Sequence, residues 1–244
     1  MTAPLAEFLG TMLLILLGDG VVANVVLKQT KGHDSGWIVI TTGWALAVTV
    51  AVYCTNSISG AHLNPAVTLG LASIGKFSWS LVPAYLAAQM AGAFAGAVLV
   101  WLIYLPHWRA TSDAGSKLAV FCTGPAIRHT ASNLIGEIIG TFVLVLGVLA
   151  VLSPANLLPG SGFDKGLSPA LVGVIVWSSG LSLGGTTGYA INPARDLGPR
   201  LAHLVLPIPG KGGCDWGYAW IPVLGPVIGG VLAAKIYVAL WPAV

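Results

Sequence analysis

The stretch GAHLNPAV occupies residues 60–67, and GYAINPARD occupies residues 188–196. Both carry Asn-Pro-Ala, with the asparagines 192 − 64 = 128 residues apart in a chain of 244. Each lies in a connection too apolar for an ordinary aqueous loop. Asn is a preferred helix N-cap, and Pro is favoured at the first helical position. NPAVTLGLAS (64–73) and NPARDLGPRLAHLVL (192–206) therefore read as short helices. Ten residues at about 1.5 Å each reach about 15 Å, half of a roughly 30 Å hydrocarbon core. They are expected to be re-entrant half-helices, the second bent at Pro199.

The surroundings are those of a membrane protein. Hydrophobic residues make up 56%, charged residues 8%, and mean hydropathy is +0.86. A soluble domain carries about a quarter charged residues. Apolar runs at about 5–27, 37–56, 79–105, 132–152, 167–185 and 217–241 are near the length a spanning helix needs. They do not alternate as barrel strands would. The first run has no basic leader or cleavage site and reads as a retained helix. The expected fold class is thus an all-α membrane protein, a single transmembrane domain over residues 1–244. A net charge of +3 with no basic patch excludes nucleic acid as a partner. Cys54, Cys122 and Cys214 match no metal pattern, and a Cys122–Cys214 bond between loops is the alternative to three small apolar residues. No phosphate loop, hydrolase elbow or metal cluster is present, so neither an enzyme nor a cofactor is expected.

The chain also repeats itself. AEFLGTMLLILLG (6–18) matches GEIIGTFVLVLG (136–147), aligning Glu7, Gly10 and Thr11 with Glu137, Gly140 and Thr141. Each copy precedes an Asn-Pro-Ala by about 55 residues. Each half holds three spans, an odd number, so the second enters the membrane from the opposite face. The result is two inverted repeats, about 1–120 and 131–244, a design shared by channels and transporters. Their half-helices are expected to meet near the midplane. Non-helical backbone at that depth must be buried or face a wet cavity. Gly60, Ala61 and His62, with Gly188, Tyr189 and Ala190, are therefore expected to line a pore with carbonyl groups. Two converging helix N-termini create a positive peak. The amides of Asn64 and Asn192 can donate there to water or a neutral hydroxyl compound, while cations are repelled and the proton-conducting water file is broken.

These residues carry a resemblance to the aquaporin superfamily, and specifically to its glycerol-facilitator branch. The resemblance covers nearly the whole chain. It implies six tilted helices and two half-helices, with Asn64, Pro65, Ala66, Asn192, Pro193 and Ala194 as the paired pore motifs. It also implies a homotetramer with one pore per protomer in the lipid bilayer of the plasma membrane, and glycerol, water and other small neutral solutes as cargo. The branch rests on Asp196 directly after Arg195, with Arg200, Tyr104 and Pro222 in support; Val223 departs from the usual Leu or Ile. The family's outer constriction maps onto Trp44, Gly180, Tyr189 and Arg195. By that mapping Arg195 offers donors to hydroxyl oxygens, Trp44 and Tyr189 form an apolar corner, and Gly180 leaves width. Tyr189 stands where a Phe is common.

Several polar residues admit two readings. Glu7 and Glu137 are either a proton relay or structural acceptors for loop N–H groups; their symmetry favours the second. Arg195 is assigned to the pore and Asp196 to holding the loop. His62 is either a pH gate or a packed pore-side residue. Asp19 is expected near the outer end of the first helix, facing water or another polar group. Lys28, Lys31, Arg109, Lys117, Arg128, Arg200 and Lys211 cluster on the odd-numbered loops, against Lys76, Lys165 and Lys235 on the other side. By the positive-inside rule the odd loops would be cytoplasmic; the resemblance implies the reverse. The functional reading is a passive channel for glycerol and small neutral solutes. The alternatives are a channel mainly for water, or a coupled secondary transporter.

Overall fold

The computed structural model describes residues 1–154, 156–157, 160–162 and 166–241. Its helices are α1 (Ala3–Val26), α2 (Trp37–Ser59), α3 (Pro65–Ser73), α4 (Val82–Ile103), α5 (Leu105–Ala110), α6 (Ala114–Phe121), α7 (Thr130–Val151), α8 (Ser168–Leu183), α9 (Pro193–Val205) and α10 (Ile221–Leu240). A short 3₁₀ turn, Trp79–Leu81, leads into α4.

Among the described residues, five segments are long and apolar enough to cross a membrane: α1, α2, the 3₁₀ turn with α4, α7 and α10. The run expected as a fifth span is shorter than the others. Helix α8 has 16 residues and stops ahead of Gly184-Gly185, which break the helix that the apolar count alone would extend. The connection after α4 also differs from the expected loop, because it contains α5 and α6. Pro106 sits in the first turn of α5, and Asp113 caps α6 by accepting the Ser116 N–H at 2.6 Å. Hydrogen bonds from the Ser116 side chain and backbone hold the Asp113 carboxyl below its usual range. The half-helices are α3 and α9, and α9 continues through Pro199.

Glycines bring the spanning helices together in the same way in both halves. A Cβ on Gly92 of α4 would strike the Phe8 carbonyl of α1, and one on Gly229 of α10 would strike the Ile138 carbonyl of α7. Phe8 and Ile138 each directly follow an aligned glutamate. Close backbone approach through small residues is how helices associate where lipid removes the hydrophobic drive.

The half-helices interlock the two repeats. Helix α3 of the first half packs on α10 of the second, and α9 packs on α4. Gly70 meets the Gly230 carbonyl, 3.0 Å from where its Cβ would be, and Gly198 meets Ala93 at 2.6 Å by the same measure. Outward, Ile38, Leu46, Ile103, Ile135, Val174 and Val238 are exposed apolar side chains. Exposed apolar side chains on all six of the long helices fit lipid, not water. The three cysteines are free thiols, so the alternative Cys122–Cys214 bond is not made. Instead the Cys214 Sγ lies 3.2 Å from His203 Nδ1.

Candidate functional site

The two asparagines begin their helices with the same geometry. Asn64 is extended at φ −158°, and its Oδ1 accepts the Ala66 N–H at 2.8 Å. Asn192 is extended at φ −156°, and its Oδ1 accepts the N–H groups of Ala194 at 3.0 Å and Arg195 at 3.3 Å. With each carbonyl oxygen committed to its own helix, each amide nitrogen points to the other repeat. Asn64 Nδ2 donates to the Ile191 carbonyl at 2.8 Å, and Asn192 Nδ2 donates to the Leu63 carbonyl at 2.8 Å. Pro65 and Pro193 occupy the first helical positions, and Ala66 and Ala194 are fully buried behind them.

The loops entering these caps turn through left-handed backbone at matching places. Positive φ occurs at Gly60 (79°), Ala61 (47°) and Leu63 (51°), and again at Gly188 (83°), Tyr189 (39°) and Ile191 (44°). Four of these six residues carry a Cβ, which costs about 1–3 kcal/mol apiece unless the surroundings enforce it. The enforcing groups are the two buried glutamates. Glu7 accepts the N–H of His62 at 2.9 Å and of Leu63 at 2.7 Å, plus Ser59 Oγ and Gln89 Nε2. Glu137 accepts the N–H of Ala190 at 3.0 Å and of Ile191 at 2.9 Å, plus Thr187 Oγ1. Hydrogen bonds to a charged acceptor contribute about 1.5–3 kcal/mol each, enough to offset the strain.

A cavity of about 160 Å³ runs past both caps. Its wall includes Trp44, Gly60, Ala61, His62, Asn64, Tyr189, Ala190, Asn192 and Arg195, together with aliphatic side chains such as Leu14, Val48, Val52 and Leu144. The lining thus combines polar groups with aliphatic ones. His62 Nδ1 lies 3.1 Å from Thr68 Oγ1.

Gly180 and Gly188 are not among the residues lining this cavity. The space that Gly180 leaves is filled by Tyr189: a Cβ there would stand 2.7 Å from the ring Cζ and 2.9 Å from Oη. Gly184, one turn later, would likewise strike the same ring. The two glycines form a trough that seats Tyr189, while Trp37 closes it edge-on at 5.8 Å and donates its Nε1–H to the Gly180 carbonyl. The Tyr189 hydroxyl is buried and has no hydrogen-bond partner among the described residues.

Arg195 lies with its guanidinium carbon 4.1 Å from the Trp44 ring centroid. Its Nη1 donates to Asp19 Oδ1 at 3.1 Å and to the Phe121 carbonyl at 3.4 Å. Asp19 therefore faces a polar group in the interior, and its side chain is 0% exposed. Asp196 turns away from the cavity. It accepts the Thr123 N–H and hydroxyl at 2.8 and 2.7 Å and pairs with Arg200 at 2.8 Å. Arg200 also donates to the carbonyls of Thr123 and Cys214.

Sequence reasoning missed Gln89, Thr123, Ser59, Thr187 and the receiving carbonyls of Leu63 and Ile191. Gln89 carried a signal, a polar side chain in an apolar run. The carbonyls carried none.

Over residues 1–237 the chain matches the family model described as major intrinsic protein. It belongs to that family. The chain is 65% identical over 237 residues to a probable glycerol uptake facilitator protein of Thermotoga maritima, covering 97% of this chain and 98% of the relative. It is 56% identical to a glycerol uptake facilitator protein of Bacillus subtilis, covering 97% of this chain and 84% of that one. Among solved structures, an aquaglyceroporin from Plasmodium falciparum superposes with a TM-score of 0.86 at 33% identity, covering 98% of this chain and 95% of that one. The all-helical architecture with two half-helices is the aquaporin fold, in a multi-pass membrane protein.

Of the seven basic residues on the odd-numbered loops, Lys117 and Arg200 are buried and Lys211 is half-buried, while Lys28, Lys31, Arg109 and Arg128 are exposed. Lys117 is buried and donates to the Pro209 carbonyl. Lys211 caps the C-terminal end of α9 through the carbonyls of His203, Leu204 and Leu206 at 2.6–2.7 Å. Arg200 is fully buried with Asp196, and Arg128 pairs with Asp215. Lys165 lies outside the described residues.

Proposed function

We propose that the chain is a passive channel that conducts glycerol and other small neutral solutes, with some water, and excludes ions and protons. The observation that carries this is the meeting of two asparagine-capped helix N-termini at the wall of one amphipathic cavity. Each asparagine amide nitrogen makes a single protein hydrogen bond, across to the other repeat. That leaves one N–H on each for a passing hydroxyl or water. The helix ends keep the wall positive, which repels cations and stops a proton-carrying water file, while Arg195 adds hydrogen-bond donors. Glycerol presents hydroxyls to the polar groups and its carbon edge to Trp44, Tyr189 and the aliphatic side chains. The glycerol facilitators among the relatives support this cargo.

The residue roles follow the geometry. Asn64, Asn192 and Arg195 donate to solute; Trp44 and Tyr189 shape the narrow region; the backbone at Gly60–His62 and Tyr189–Ala190 supplies acceptors. Glu7, Glu137 and Asp196 hold the loops. In this reading the repeats divide at about 120–131, the chain sits in the plasma membrane as a homotetramer with cytoplasmic termini, and it catalyses no reaction.

Purified protein in liposomes tests the proposal. Imposed glycerol gradients should collapse with facilitated kinetics, without dependence on proton or sodium gradients. Accumulation of glycerol against its own gradient would make the protein a coupled transporter instead.

A further inference from the structure

The segment Gly18-Asp19-Gly20 of α1 lies behind the narrow region. A Cβ on Gly18 would stand 2.5 Å from Trp44 Cε3, so this glycine seats the indole ring. The Gly20 carbonyl accepts the Tyr104 hydroxyl at 3.1 Å, which ties this turn to the end of α4. Between them Asp19 reaches Arg195.

Asp19 is an odd choice for a packing role. Its Oδ1 accepts from Arg195 at 3.1 Å, but its Oδ2 is buried with no hydrogen-bond partner among the described residues. An acceptor needed only to position the guanidinium would be satisfied by an amide or hydroxyl. A buried carboxylate with an orphaned oxygen is costly, and what it adds over those groups is charge. Arg195, meanwhile, is held on three sides by Asp19, the Phe121 carbonyl and the Trp44 face.

We propose that Asp19 is a specificity-determining positioning residue that neutralises Arg195, so that the filter presents guanidinium hydrogen-bond donors without a net positive charge. Resting on the filter role given to Arg195 above, this says which solutes the charge balance rejects. A lone guanidinium at the wall of a narrow, low-dielectric cavity would attract anions. Pairing it with Asp19 leaves N–H groups for neutral hydroxyls and removes that attraction. The cation barrier then rests on the helix N-termini at Asn64 and Asn192, and the anion barrier rests on Asp19.

The test uses the full-length protein in liposomes with an entrapped chloride-sensitive dye, with potassium and valinomycin compensating charge. Asp19→Asn keeps an acceptor for Arg195 Nη1 but removes the charge. Chloride efflux should rise about ten-fold or more over wild type, while glycerol permeability stays within about three-fold. Asp19→Glu, which restores the charge, should exclude chloride again. In the double variant Asp19→Asn/Arg195→Gln the cation is gone, and chloride efflux should return to the wild-type level.

Wild-type chloride exclusion in Asp19→Asn overturns the proposal, and so does a leak that persists in the double variant. If Asp19→Asn fails to assemble, the double variant must assemble and exclude chloride; its failure also overturns the proposal. The chloride readout does not require glycerol flux. A wild-type protein that passes no glycerol would sink the proposed cargo and leave the charge-balance result standing.

Discussion

Gly180→Ala tests whether Tyr189 shapes the conduction path. The new Cβ would stand 2.7 Å from the Tyr189 Cζ, 2.9 Å from its Oη and 3.0 Å from Thr41 Cγ2. Ordinary contact begins near 3.4 Å, so the ring must retreat by about 3.4 − 2.7 = 0.7 Å. It has one direction to go. Gly184 holds its other edge in the same trough, and Trp37 stands edge-on at 5.8 Å. The open side is the cavity. Overpacking a close contact costs about 1–3 kcal/mol. If the displaced ring imposes that cost on a passing solute, glycerol permeability falls about 5- to 150-fold. Water is narrower and should lose less, so the water-to-glycerol ratio rises. Stopped-flow light scattering of liposomes under osmotic and glycerol gradients measures both permeabilities. A variant that inserts and melts like wild type but passes glycerol at the wild-type rate refutes the trough argument.

Tyr189→Phe removes a hydroxyl that is buried in the trough without a partner among the described residues, so the thermal midpoint should rise as that unsatisfied group is lost, while the glycerol-to-water permeability ratio stays within about two-fold. A larger shift of the ratio would place the hydroxyl at the cavity wall. Glu137→Gln places an NH₂ where Ala190, Ile191 or Thr187 now donates, and each lost charged hydrogen bond costs about 1.5–3 kcal/mol. Its thermal midpoint in detergent should drop, with a similar drop for Glu7→Gln; equal midpoints would remove the glutamates as struts. Arg195→Val leaves Asp19 buried without its cation, a loss of about 3–5 kcal/mol. It should speed the decay of an imposed pH gradient while water still passes, and a decay matching wild type would count against the electrostatic barrier.

The repeated Asn-Pro-Ala, the aligned Glu7 and Glu137 and the apolar runs were legible in the sequence because each is a local rule. An N-cap needs an Asn followed by a tolerated Pro. A spanning helix needs enough apolar residues in line. A buried carboxylate in an apolar run announces that it has donors to satisfy. Those rules were enough for the helices, the half-helices and the resemblance to the aquaporin family. They did not reach the end of α8 at Gly184 or the short helices α5 and α6, where a break or cap decides against composition.

What only the tertiary structure decided is which groups meet. Gly180 reads as an empty position along the chain; in space it is occupied by Tyr189, which is nine residues later and returns through a left-handed loop. Arg195 and Asp19 are 176 residues apart, and nothing local to either specifies the other. The positive φ values at Ala61, Leu63, Tyr189 and Ile191 contradict the preferences of those residues and are imposed by carboxylates from α1 and α7. Part of the Lys and Arg distribution has the same origin, since Lys117, Arg200 and Lys211 answer to internal carbonyls and carboxylates. Local preference sets where a helix starts and how long it runs. The partner of a charge, and the space beside a glycine, depend on chain segments that the fold alone brings together.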